Sequence, residues 1–140
     1  MVANEVNKLT NGDLILVPNS PDYWDFILDL RNDPTLKKGF IIQDTIEKDN
    51  HRHYMEKNGL YYRICLLNHK PVGFIGSVKG DIRVATHPNF QGLGIAKFMI
   101  QKIIKEYPNS TAKIKINNEA SIRAFEKAGF IKSYYLLEPK

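Results

Sequence analysis

"VATHPNFQGLGIAKFMIQKI" (residues 84–103) runs from a strand pattern, through a turn holding two glycines, into an amphipathic helix. Residues 94–107 put Ile95, Met99, Ile103 and Tyr107 on one stripe with Ala96, Ile100 and Ile104 beside it, the mark of a helix packed on a sheet. Gly92, Gly94 and Ala96 stand where larger side chains would hold a helix start better. A strand, a glycine-rich turn and a helix start together aim backbone N–H groups at an anion, helped by the positive end of the helix dipole. Side chains would keep a phosphate from that backbone, whereas Gly92 and Gly94 allow close approach and the small Ala96 keeps the first turn open. Close packing of helix on strand is the competing reason for the glycines, and these residues alone leave it open. Two common phosphate loops do not fit. A nucleotide P-loop needs Lys followed by Ser or Thr after its second glycine, and Lys97-Phe98 lies at the wrong distance. A dinucleotide fingerprint needs a third small residue where Lys97 stands and an acid about twenty residues on, where the chain has Ile114 and Lys115.

Upstream, "LYYRICLLN", the turn "NHK" and "PVGFIGSV" read as a hairpin, and "KGD" turns tightly into a third strand, "IRVATH". "DLILVP" (13–18) is a further strand. Ser20-Pro21-Asp22 starts a helix that Trp24, Ile27, Leu28 and Arg31 continue until Pro34 stops it. Asp44 or Thr45 can cap another helix that ends at Gly59. Downstream, "TAKIKIN" (111–117) alternates Ala112, Ile114 and Ile116 inward with Lys113 and Lys115 outward, a strand with one wet face or an edge. Asn117 or Asn118 caps a short helix ending at Gly129, and "FIKSYYLLE" finishes the chain as a strand. The sum is a single α+β domain over residues 1–140, a mostly antiparallel twisted sheet flanked by helices.

The composition, 43% hydrophobic and 25% charged, is that of a folded globular protein and not a disordered chain. No apolar run reaches the ~18 residues of a membrane span, and "MVANEVNKLTNGD" has no secretory core, which makes the cytoplasm the expected compartment and a membrane an unexpected partner. A formal charge of +5 favours anionic partners, although no recognition motif for nucleic acid is present. Cys65, the one cysteine, sits in the apolar "RICLL" and reads as a buried structural thiol. His51 and His53 are two apart on a helix, hence on different faces, and no metal site is expected.

The 84–103 stretch resembles the acetyl-coenzyme A motif of the Gcn5-related N-acetyltransferases (GNAT), Gln or Arg, two residues, Gly, one residue, then Gly or Ala, met here by Gln91, Gly94 and Ala96. "NNEASIRAFEKAGF" (117–130) resembles the family's later motif, at a distance of one helix and one strand. The resemblance implies a GNAT-like acyl-CoA acyltransferase fold and acetyl-CoA as co-substrate. It implies that the backbone from Gln91 through Gly92, Leu93, Gly94 and Ile95 to Ala96 would receive the pyrophosphate, with Lys97 adding charge. The pantetheine arm would run along Arg83, Val84 and Ala85. A backbone N–H at Val84 or Ala85 would polarise the thioester carbonyl.

An acceptor amine must lose a proton before attack, and Asp81, where the family often places an acid, is the candidate base, although Asp also favours turns such as "KGD". Where the family often has a tyrosine to protonate the leaving thiolate, this chain has Phe125. Tyr134, Tyr135 or water must then supply that proton, or the protein binds acyl-CoA without efficient turnover. Asn118 matches the family's Asn as a cofactor contact or a helix cap. The expected activity is transfer of acetyl to a primary amine, a small molecule such as a nucleotide-linked amino sugar, with Arg31 and Asn32 of "LRNDP" touching phosphate or base. A protein N-terminus and a non-catalytic acyl-CoA-binding module are the alternatives. Only ten residues follow Phe130, so the acceptor side is either open or completed by a partner chain, as in a homodimer.

Overall fold

The computed structural model describes residues 13–140, so the reading of the stretch before Asp13 lies outside it. Strands β1 (Leu14–Pro18), β2 (Tyr62–Leu67), β3 (Lys70–Val78) and β4 (Asp81–Thr86) form one antiparallel sheet in the order β1-β2-β3-β4. The two tight hairpins arise where the sequence puts them. Asn68 and His69 take φ of 49° and 70°, and Lys79 and Gly80 take 53° and 78°. Consecutive positive φ values twist a two-residue turn in the sense that antiparallel strands need.

Helices α1 (Trp24–Asn32) and α3 (Lys48–Asn58) flank the sheet, joined by the single turn α2 (Pro34–Lys37), while α4 (Ile95–Glu106) and α5 (Glu119–Lys127) complete the chain. The cores are two. Ile27 and Leu30 of α1 and Met55 of α3 pack with Tyr62, Ile64 and Phe74. Ile95, Phe98, Met99, Ile100 and Ile103 of α4 pack with Cys65, Val72, Ile75, Ile82 and Phe125. Cys65 is fully buried, and burial pushes its thiol up to about 12, as befits an inert core residue.

Pro34 does end α1, and it also opens α2, because the Asp33 carboxylate caps the amides of Thr35 (2.8 Å) and Leu36 (3.2 Å). The expected cap of α3 at Asp44 or Thr45 is corrected: the helix begins after Glu47 with no side-chain cap, and the Thr45 hydroxyl accepts from Lys37 Nζ at 2.9 Å.

Two expected strands do not form. Thr111 makes one parallel bridge to Asp81, with Ile82 N–H donating to Thr111 O (2.9 Å) and Thr111 N–H to Gly80 O (2.8 Å), and the ladder stops there. Ala112 and Ile114 turn toward the α4 core as their alternation implies, but Ile116 is 90% exposed. Residues 131–140 have no regular structure and are exposed throughout. Alternation decides which side chains can face a core, whereas a strand also needs a neighbour to receive its hydrogen bonds. Here neither segment pairs with the other, and the sheet is split on the outer side of β4.

Gly76 lies opposite Tyr62, and a Cβ built on it would fall 2.7 Å from the Tyr62 ring. The missing side chain lets that ring lie across β3, so that its hydroxyl meets the Tyr54 hydroxyl at 2.8 Å. Gly76→Val is expected to lower the unfolding free energy by about 1–3 kcal/mol through overpacking, read from urea denaturation; an unchanged midpoint would show that the ring is free to move aside.

Candidate active site

The turn after β4 is built from the strand outward. His87 Nδ1 accepts the amide of Asn89 (3.1 Å) and its ring packs edge-on against Phe90, so this histidine shapes the Pro88–Phe90 turn. Gln91 Nε2 reaches back to Thr86 O at 3.5 Å. Gly92 and Gly94 then take φ of +81° and +82°, a region that side chains strain to enter. A Cβ at either glycine would meet no atom within 4 Å. Close packing of helix on strand is therefore not why they are glycines. Gly94 is the N-cap of α4 and no side chain caps that end, which leaves the first-turn N–H groups of Ile95, Ala96 and Lys97 for solvent or a ligand. Ile95 is buried and contributes only backbone, while Lys97 is exposed beside it. A cradle of open space, glycines and unspent amides suits a pyrophosphate.

The split in the sheet begins one turn away. Ile82 N–H points outward to Thr111, and His87 N–H points inward to Val72 O (2.7 Å). Backbone groups alternate along an antiparallel strand, so Val84 and Thr86 share the outward side of Ile82, and Arg83 and Ala85 face β3. Of the two candidate oxyanion donors, Val84 has its N–H on the open edge and Ala85 spends its own in the ladder with Phe74.

On the face of α1 and α3, a polar cluster surrounds Tyr54. Arg83 Nη1 donates to the Tyr54 hydroxyl (3.2 Å), Arg83 Nε lies 3.4 Å from Asp81 Oδ2, and the Arg31 guanidinium sits 5.0 Å from the Tyr54 ring centroid. Burial raises the Tyr62 phenol well above its ordinary value, so it stays protonated. Asp81 is placed as a strand-edge acid, with Oδ1 buried and without a hydrogen-bond partner. Its Cα stands about 10 Å along the strand from that of Val84, three residues at ~3.3 Å each. Any proton it takes from an amine near Val84 must travel through water.

Several candidates are not brought to this place. Both amide atoms of Asn32 are engaged with Ile46, Nδ2 with its carbonyl (2.9 Å) and Oδ1 with its N–H (2.8 Å), a tie between α1 and the loop before α3. Asn118 caps α5 by accepting from Ser121 N–H (3.2 Å) and donates to Gly39 O (3.3 Å), so of its two readings the helix cap is formed. Tyr134 is 86% exposed in the C-terminal segment. Phe125 is buried against Phe130. The Tyr54 hydroxyl and the Arg83 side chain were missed by sequence reasoning, which used Arg83 only for its backbone. The two-residue spacing of Asp81 and Arg83 was the available signal. Among the described residues, no three His, Cys, Asp or Glu side chains gather as a metal site would require, and no helix is long and apolar enough to cross a membrane.

Comparison with known proteins agrees with this geometry. The model of the acetyltransferase (GNAT) family matches residues 24–130. No curated protein sequence matches. Among solved structures, the chain is similar to a spermidine N-acetyltransferase from Vibrio cholerae in complex with CoA and spermine, at 18% identity and a TM-score of 0.74 over 92% of this chain and 87% of that one. It is similar to a putative acetyltransferase from Salmonella typhimurium with acetyl-CoA, at 20% identity and a TM-score of 0.73 over 87% and 82% of the two chains. A domain from Methanocaldococcus jannaschii gives 22% identity and a TM-score of 0.76 over 86% and 89%.

His51 joins the two helices behind the cluster. Its Nε2–H donates to Trp24 O (2.8 Å) and its Nδ1 accepts from Arg31 Nη1 (3.3 Å), which fixes a neutral tautomer. Burial lowers its pKa below the ordinary value of 6.5, more than the Trp24 hydrogen bond raises it. The unfolded chain binds a proton that the folded one refuses, so this stability is present above about pH 6.5 and lost as pH falls below it. Asp33, lowered chiefly by the Thr35 hydroxyl, loses its contribution only in the carboxylate range near pH ~4. Unfolding free energy is expected to fall between pH 7 and 5, with a shallower slope in His51→Gln; equal slopes would assign the titration to another group.

Proposed function

Because the chain belongs to the GNAT family of N-acetyltransferases, we propose that it moves the acetyl group of acetyl-coenzyme A to the primary amine of a small molecule, such as a nucleotide-linked amino sugar, in the cytoplasm. The observation that carries this reading is the start of α4, where Gly92 and Gly94 hold a left-handed backbone, are unpacked and lie next to uncapped amides. The backbone from Gln91 to Ala96 holds the pyrophosphate, with Lys97 as an adjacent charge. The open edge of β4 receives the pantetheine arm as an added strand would be received.

The chemistry asks two things of the chain. Carbonyl oxygen gains charge as the amine attacks, and Val84 N–H, aimed out of the ladder, is the donor that stabilises it. An alkylammonium has a pKa near ~10 and no lone pair, so a base must take its proton, and Asp81 does so through water. The departing thiolate, of pKa near ~8.5, is protonated by water, since Phe125 has no proton to give and Tyr134 lies in solvent. That same pair of facts favours the second reading, an acyl-CoA-binding module without efficient turnover. A second copy of the chain completes the acceptor side, a proposal supported by the exposure of Ile131, Tyr134, Tyr135, Leu136 and Leu137.

Calorimetric titration with acetyl-coenzyme A is expected to show micromolar binding, weakened at least ~10-fold in Gly94→Trp. The variant should still fold, since its side chain enters open space and the left-handed backbone costs about 1–2 kcal/mol; unchanged affinity would remove the loop as the pyrophosphate site. Asp81→Asn is expected to lower kcat about 10²-fold at unaltered acetyl-CoA affinity, and a variant at full rate would remove Asp81 as the base.

A further inference from the structure

Arg31 is the one element of the Tyr54 cluster whose charge is unanswered. Its guanidinium is half-buried, and it makes a hydrogen bond to neutral His51 and a cation–π contact with Tyr54. Among the described residues no carboxylate pairs with it. Its place in the last turn of α1 offers only the helix end, worth about half a charge. Arg83 is bound to the hydroxyl of the tyrosine whose ring Arg31 covers, and its positive charge works against that of Arg31. Arg83 has the Asp81 carboxylate as its partner, and Arg31 has none among the described residues. A partly buried cation without a counter-ion is costly to fold around. Most of the N–H donors of both arginines remain unspent, in the planar forks that match oxyanions.

We propose that Arg31, over the Tyr54 ring, and Arg83, at its hydroxyl, form a subsite for an oxyanion of the acceptor, so that the amine acetylated here belongs to a molecule also carrying a phosphate or carboxylate. The inference rests on the acetyltransferase reading and narrows its substrate class. Arg83 directly precedes Val84, so an anion held by its side chain leaves the rest of a small acceptor beside the open edge of β4. Asp81, on the same face two residues from Arg83, attracts the ammonium end. Such a site selects a zwitterion and repels a polycation, unlike the spermidine enzyme whose fold it shares.

The test uses the full chain saturated with coenzyme A, so that the glycine loop is filled, titrated calorimetrically with glucosamine 6-phosphate against glucosamine, with alanine against alaninamide, and with spermidine. Absence of coenzyme A binding would sink the acetyltransferase reading itself, before the anion question arises. With coenzyme A bound, the phosphate or the carboxylate member of a pair should bind at least ~10-fold more tightly than its neutral partner, and the pair that shows it identifies the anion. Arg31→Met and Arg83→Met should each erase that difference, and Arg31→Met should leave coenzyme A affinity unchanged. Arg83 is partly exposed and carries the test alone if Arg31→Met fails to fold. Equal binding within both pairs, tighter binding of spermidine, or a preference that survives Arg83→Met would overturn the proposal.

Discussion

The hydrogen bonds between Thr111 and the Gly80–Ile82 stretch are both the last link of the sheet and the start of its opening. The ladder with β3 fixes which way every backbone group of β4 points, and the Thr111 bridge takes the first of the outward ones, since donors and acceptors alternate from Ile82 onward. Past it, the outward backbone groups of Val84 lie on an open edge, and Thr86 O is met by Gln91 Nε2. An edge of this kind is a liability in a protein that does not use it. Here it ends at the glycine loop, so that a long, partly peptide-like molecule would find strand hydrogen bonds and an anion cradle in sequence.

The cradle depends on α4 being held firmly, and its hydrophobic stripe does this. Ile95, Phe98, Met99, Ile100 and Ile103 are all buried against β2, β3 and β4. The first turn of the helix is thereby fixed in orientation while its amides stay uncapped. Burial of the side chain of Ile95 and exposure of its backbone neighbourhood are two sides of one arrangement. On the opposite face the sheet supports Tyr62 over Gly76, Tyr62 supports Tyr54, and Tyr54 meets two arginines. The cofactor side is made of backbone and the acceptor side of charged side chains.

That division explains what was legible. The strand-turn-helix at 84–103, the two hairpins and the α4 stripe follow from local rules of period and turn chemistry, and the structure has them where those rules put them. Tail and edge were misread, since "TAKIKIN" and "FIKSYYLLE" carry strand patterns and pattern says nothing of whether a partner strand is in reach. Asn32 and Asn118 illustrate a related point, and of the two readings offered for Asn118 the helix cap is the one that forms. A side-chain amide serves a ligand or the chain's own backbone with the same atoms, and only the loop that folds over it decides, Ile46 in one case and Gly39 in the other.

The sequence by itself determined the four strands from β1 to β4, the α4 stripe and the glycine loop, because spacing along the chain sets φ requirements and buried stripes without reference to distant residues, and its motifs carried the family resemblance. Tertiary structure alone decided that Val84 and not Ala85 faces the open edge, that His51 is neutral and buried, and that Arg31 and Arg83 meet around Tyr54. These depend on strand parity and on contacts between residues far apart in the chain, Arg31 and Tyr54 on two helices and Arg83 on a strand. Their charges and hydrogen bonds are set by what surrounds them, and that neighbourhood exists only once the sheet has formed.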